Sequence, residues 1–351
     1  MLNKQKRIVG LILFIGILLI SGCGNAQANT KVILTTGFEK DELFRIETMS
    51  CTMPEVMVYL TNTQNQYESV FGKEIWGTDL EGKTLEESVK ETVLAQLAQI
   101  KTMNLLAAAH GVALSEAELE TVRTAAKAYF ESLNPTEREQ MSVTEDTICN
   151  LYTEYALANK VYEYLIKDIN PEISDDEART ITVQHILIKT YALDGTGKKI
   201  DYSESAKEDA YKTASEILAL AKEEGTDFEE LVLQYSEGES GDYSFGKGEE
   251  DVAFETAAFN LGKGEISEVV ETEFGYHIIK CINTFNREET DANKIKIIEK
   301  KREEVFGQEY DAFVITLTRD LNEELWETIT FIQNADVKTQ DFFDVYNQYF
   351  S

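Results

Sequence analysis

The stretch DVAFETAAFNLGKGEISEVVETEFGYHIIK, residues 251–280, decides the reading of this chain. It predicts a short helix at 253–260, a turn at 262–264, and strands at 266–272 and 276–283. The second strand carries His277 beside Ile278 and Ile279. Upstream, TVQHILIK at 182–189 sets His185 among Val183, Ile186 and Ile188. Runs rich in β-branched residues read as strands buried on at least one face. The chain has only three histidines, and two sit in such runs. A plain reading makes them core histidines, each satisfied by a neighbour.

The text between the two strings supplies the context. A loop at 191–202 leads to a long helix at about 205–224, with Ala210, Ala214, Ile217, Leu218 and Ala221 on one face. A shorter helix at 227–234 and a Gly-rich stretch at 237–248 follow. Strand, helices, then strands is an α+β order. The segment, and residues 251–280 almost position by position, resembles a parvulin-type peptidyl-prolyl isomerase domain. The fold implied is a four-stranded antiparallel sheet wrapped by helices. The reaction implied is rotation about the amide bond before proline, whose barrier is about 18–20 kcal/mol and which relaxes unaided in tens to hundreds of seconds. No group is transferred. The task is to hold the proline ring and favour the twisted amide, which needs an apolar pocket and a few hydrogen-bonding side chains, with no metal and no cofactor.

The resemblance also assigns residues. His185 and His277 become the catalytic pair that hydrogen-bond at the sheet centre, and Phe254 the aromatic that packs on the proline ring. With its area spent on substrate, Phe254 would be removable at modest cost to the fold. Phe259 becomes a pocket wall; Thr272, Phe274 and Phe245 line the substrate site. Departures accompany these matches. The run 240–248 is shorter than the family's Gly-Gly-Asp-Leu-Gly segment, and Gly248-Glu249-Glu250 stands where Gly-Gln-Met is usual. Glu250 thus puts a carboxylate at the pocket edge, costly unless it stays wet. The family's Asp or Cys falls at or near Gly238, between Glu237 and Glu239.

At the front, Lys4, Lys6 and Arg7 precede the apolar run 8–20, too short for the roughly 20 residues of a membrane-spanning helix and suited to a signal segment. Residues 20–23 resemble a bacterial lipobox, which implies lipidation at Cys23 and a location on the extracytoplasmic face of the cell membrane; an ordinary secretory signal is the alternative. Residues 24–31 are small and polar, as in a tether. The scatter of Cys51, Cys149 and Cys281 fits no metal spacing, and they read as free thiols.

Removal of residues 1–22, which hold three basic and no acidic side chains, takes the net charge from −31 to −34. Such a surface excludes nucleic acid and anionic lipid held by general attraction. With 43% hydrophobic residues and three prolines the chain is a folded one. Within 180–284, nine basic side chains face twenty-two acidic ones. In the loop 191–202, Lys198 and Lys199 are offset by Asp194 and Asp201, so no phosphate cradle is expected.

The flanks are helical in pattern. Capping-box spacings at 84–87, 115–118 and 142–145 open three helices, and Asn170-Pro171 stops the last. Residues 32–38 suggest a strand and 44–67 a partly helical segment. After a polar break at 286–291 a helix resumes through Ile295, Ile298 and Phe306, and an aromatic-rich helical stretch covers 323–349. The predicted division is a lipoprotein signal at 1–22, a lipidated tether at 23–36, helical segments at 37–171 and 287–351 that together form one domain, and the isomerase module at 172–286. An α+β parvulin-like module inserted in a mainly α-helical chaperone-like domain resembles the extracytoplasmic foldases of the SurA and PrsA type. The function implied is prolyl isomerisation in unfolded or partly folded exported polypeptides. The alternative is a non-catalytic holdase with a degenerate module; a solute-binding lipoprotein lacks the expected paired α/β lobes.

Overall fold

The computed structural model describes residues 37–350 apart from Glu81 and Thr196. The signal segment, Cys23, the tether and nearly all of the strand expected at 32–38 therefore lie outside the described residues. In chain order the strands are β1 (Glu42–Ile46), β2 (Met49–Thr52), β3 (Asp79–Leu80), β4 (Lys83–Thr84), β5 (Thr180–Lys189), β6 (Tyr191–Leu193), β7 (Lys199–Asp201), β8 (Tyr243–Gly246), β9 (Val270–Thr272), β10 (Gly275–Asn283) and β11 (Arg319–Leu321). The helices are α1 (Met53–Phe71), α2 (Leu85–Ala109), α3 (Glu116–Ser132), α4 (Pro135–Gln140), α5 (Glu145–Ile166), α6 (Glu204–Ala221), α7 (Phe228–Tyr235), α8 (Val252–Phe259), α9 (Arg287–Val314), α10 (Glu323–Glu327) and α11 (Phe342–Phe350). They divide into two compact units, one made of the residues up to Lys167 and from Phe306 onward, the other Asp168–Val305.

In the first unit, Thr84 with Glu87 and Ser115 with Glu118 cap α2 and α3 as capping boxes. The third box is displaced. Ser142 has a positive φ of 54°, so it stands outside the helix, and α5 is capped by the Thr144 hydroxyl accepting from Thr147 N. The segment 44–67 is a hairpin before it is a helix. Leu43, Phe44, Ile46 and Cys51 are buried in β1 and β2, and β11 adds to β1 from the far end of the chain. The expected helix at 323–349 is also corrected, since only α10 and α11 are helical. Between them the backbone is held by side chains: Ile332 N donates to Gln64, and Lys338 N and Thr339 N donate to Glu137. Periodicity cannot foresee such clamps, because their partners are distant in sequence. Phe342 then inserts fully buried between Tyr152 and Tyr129, with ring centroids 4.6 and 5.2 Å away.

The second unit is built on the antiparallel sheet β8-β5-β10-β9. Alternation sends Ile181, Val183 and His185 of β5, and His277 and Ile279 of β10, to the face covered by α8. Ile186, Ile188, Tyr276 and Ile278 point to the other face, into the core with α6 and α7. A sheet buried on both faces explains why both strings read as nearly continuous β-branched runs. Gly275 makes the β9–β10 turn with φ 138°, and a Cβ there would lie 2.1 Å from Ile188 O, so only glycine fits.

Several local expectations shift. The loop 191–202 folds back as the β6–β7 hairpin. The strand expected at 266–272 is reduced to β9, with Ile266 bridging to Lys280 alone. The Gly-rich stretch hides β8, too short to show a period. The polar break at 286–291 is the start of α9: Glu289 N donates to Asn286 Oδ1, and the buried Thr290 hydroxyl accepts from Thr180 N.

Candidate active site

Register places the two histidines side by side. His277 pairs with Leu187 and His185 with Ile279, so the imidazoles are diagonal neighbours on one face. Their Nδ1 atoms are 3.4 Å apart and the rings stack with an interplanar angle of 29°. Thr272 Oγ1 lies 2.9 Å from His277 Nε2 and accepts from Phe274 N at 3.1 Å. One Nδ1 must donate and the other accept. Two protonated rings would set N–H against N–H, so the contact requires at least one neutral imidazole.

The surroundings favour the neutral state. Burial lowers the His277 pKa from 6.5 to about 4, helped by His185 and opposed by Asp251. Burial also lowers that of His185, against the carboxylate of Glu250. Phe254 forms the floor, edge-on to both rings at 5.2 and 5.1 Å. Asp251 caps α8 by accepting from Ala253 N and Phe254 N, which fixes that floor in the first turn.

Phe254 is 3% exposed and shares its core with Ile181, Val183, Phe245, Ala258 and Ile279. The expectation that most of its area is left for substrate is therefore corrected. Phe245 touches Phe254 at 5.7 Å and continues the aromatic layer. Phe259 packs against Phe245 and under the Arg179 guanidinium, 4.8 Å above its ring. Phe274 is 45% exposed and reaches the pair through its backbone N–H on Thr272. Glu250 stays half-buried and accepts from the Tyr243 hydroxyl.

Near Gly238, the Glu237 carboxylate accepts from Lys189 N at 2.6 Å. Ser236 Oγ instead accepts from Leu187 N and Gly238 N. Tyr243, stacked on Phe245 at 5.5 Å, escaped sequence reading. Its signal was the spacing of two along a strand, legible only once β8 is recognised. In the β6–β7 hairpin Lys199 Nζ donates to Glu273 O and lies 3.6 Å from that residue's carboxylate. Among the described residues no cluster of three or more His, Cys, Asp or Glu could hold a metal ion.

Comparison with known proteins decides the family. Residues 185–283 match the rotamase family, the PPIC-type PPIase domain. Over 313 residues, covering 86% of this chain and 91% of the relative, the sequence is 26% identical to foldase protein PrsA of Caldanaerobacter subterraneus subsp. tengcongensis. The chain is a parvulin-type isomerase foldase of the PrsA type. The PrsA foldase of Clostridium acetobutylicum is 24% identical over 321 residues, 84% of this chain and 89% of that one. A solved peptidylprolyl isomerase (PrsA) from Bacillus cereus is 22% identical, with 86% of this chain and 96% of that one covered at a TM-score of 0.36. As a foldase of this type, the protein binds client polypeptides.

Proposed function

We propose that His185, His277, Phe254 and Thr272 are the isomerisation site for X-Pro bonds of unfolded or partly folded exported polypeptides. The observation that carries this is the hydrogen-bonded imidazole pair lying on the Phe254 ring. A planar amide has more charge separation than a twisted one. A site that keeps its own groups uncharged destabilises the planar ground state relative to the twisted transition state. The Thr272 hydroxyl, anchored by Phe274 N, orients the His277 ring. Phe245 and Glu250 bound the pocket beside the Phe254 floor, Phe274 stands at its rim, and Phe259 supports it from behind Phe245. Cis/trans exchange of an Ala-Pro tetrapeptide, followed by NMR with the full chain, is the test. Acceleration lost in His277→Leu is expected; no acceleration by the native chain at high protein concentration refutes the assignment and leaves a client-binding role alone.

Anchorage through a lipid on Cys23, at the extracytoplasmic face of the cell membrane, is part of the same proposal. The basic start, the short apolar run 8–20 and the lipobox-like 20–23 support it. No helix among the described residues is long and apolar enough to cross a membrane. Incorporation of labelled palmitate into the native chain and its absence from Cys23→Ala would establish the anchor. We also take residues 172–286 as the isomerase domain, completed as a chain by helical segments at 37–171 and 287–351. A soluble 172–286 fragment with native-like β structure is the expected result.

A further inference from the structure

We infer that the groove between α8 and the free edge of β9 holds the client chain flanking the reacting proline, in extended form and with a preference for cationic residues. The catalytic reading above supplies the identity of this occupant. β9 is the terminal strand of its sheet, and among the described residues no strand pairs with its outer edge. A free edge offers backbone donors and acceptors to an extended peptide. Beside it lies an open groove of about 890 Å³. Its apolar lining comes from Val252, Ala253 and Ala257 of α8 and from Val269 and Val270; Val252 is 79% exposed.

The charge of the lining is one-sided. Asp251, Glu271 and Glu273 border the groove and no Lys or Arg does. Asp251 is fixed by its cap on α8, and Lys199 offsets Glu273 from outside the groove at 3.6 Å. Glu271 is exposed on the strand itself. A cationic client segment meets these carboxylates, whereas an acidic one is repelled in a module already rich in negative charge. Thr272 joins groove and site, since it lines the groove and hydrogen-bonds His277 at 2.9 Å. A chain whose X-Pro bond lies over Phe254 therefore continues along β9. At about 3.3 Å per residue, this edge accommodates roughly three client residues.

The test uses the full chain with labelled valine methyl groups. It is titrated with an Ala-Pro tetrapeptide, with the same peptide extended by three Lys or three Glu on either side, and with the Lys extension N-methylated on its backbone. At low salt the Lys-extended peptide is expected to bind about fivefold or more tighter than the Glu-extended one, shrinking with added salt. It should shift the Val252, Val269 and Val270 methyls, and N-methylation should remove the gain. Glu271→Lys should abolish or reverse the Lys-over-Glu preference. Valine methyls that stay still with every extended peptide, or a preference untouched by Glu271→Lys, overturn the inference. Methyl shifts that follow protein concentration without peptide assign the groove to a second copy of the chain and overturn it equally. The tetrapeptide keeps the two readings apart: if it is not isomerised the catalytic assignment fails, while the methyl shifts still decide the groove.

Discussion

In the helical unit Lys101, 1% exposed, sits 2.7 Å from both Glu55 and Glu154. In the isomerase module His185 and His277 meet each other over the Phe254 ring, with the Thr272 hydroxyl at His277. One unit keeps buried charge and balances it with opposite charge; the other removes charge from the buried groups. The first arrangement is costly to break, because any lost partner strands an ion in the core. On the proposed reading, the second leaves two uncharged imidazoles beside which an amide can twist. Burying a polar cluster thus serves structure in one unit and, on the proposed reading, chemistry in the other.

The largest expected effect breaks the structural side of that contrast. Lys101→Met should destabilise the helical unit by roughly 3–5 kcal/mol, leaving two carboxylates without a cation. Both tryptophans, Trp76 and Trp326, lie in that unit, so their fluorescence in denaturant reports it directly. A midpoint equal to that of the native protein would show that the triad is dispensable. On the other side, Phe254→Ala should abolish isomerisation and also cost the module about 3–5 kcal/mol, because the ring belongs to the core. Phe254→Leu should cost less than about 1.5 kcal/mol and retain partial activity. Thermal inactivation followed by peptide exchange separates them, and a stable, inactive Phe254→Ala would return the ring to a purely substrate-facing role.

Protonation sharpens the comparison, because the two units should respond to pH with opposite signs. Burial depresses His277 to about 4, against an ordinary 6.5. The unfolded chain then binds more protons between those values, so this stabilisation is complete above the unfolded pKa and is lost as pH falls toward 4. Its size is about 3 kcal/mol at most. Burial raises Glu154 from 4.5 to about 7, with Lys101 opposing. Its contribution is present below the unfolded pKa and is lost as pH rises through about 7. Glu154→Gln should flatten the tryptophan-detected slope over that window and leave the loss of module stability toward pH 4 in place. Parallel pH slopes in the two units would contradict the scheme. The smallest effect is expected from Thr272→Val, about 1 kcal/mol with a severalfold loss of kcat as His277 loses its partner. An unchanged kcat would remove Thr272 from the site.

Legibility differed between the units for a physical reason. The two histidine strings announced β5 and β10 because a sheet covered on both faces demands long apolar runs. Phe254 stood out through the resemblance of 251–280 to the family, not through any pattern of its own. β8 and the β6–β7 hairpin did not stand out, since three or four residues are too few to display a period. In the helical unit two capping boxes were readable because both partners are three residues apart. The box expected at 142–145 failed because Ser142 turns out of the helix, and nothing in its side chain reports that angle.

The sequence by itself determined the elements whose code is local: two of the three cap spacings, the apolar runs of β5 and β10, and the short helix α8 with the turn after it; the pairing of the two histidines with Phe254 came from the family resemblance. The tertiary structure alone decided what those groups meet. It buried Phe254 in the module's core, gave Glu250 to Tyr243 and Glu237 to the β5 backbone, and left the β9 edge free beside a groove. It also carried Phe342 back among Tyr59, Tyr129 and Tyr152 and held residues 328–341 on Gln64 and Glu137. Local preferences act over three or four residues, whereas desolvation and hydrogen-bond satisfaction are settled only when distant parts of the chain come into contact.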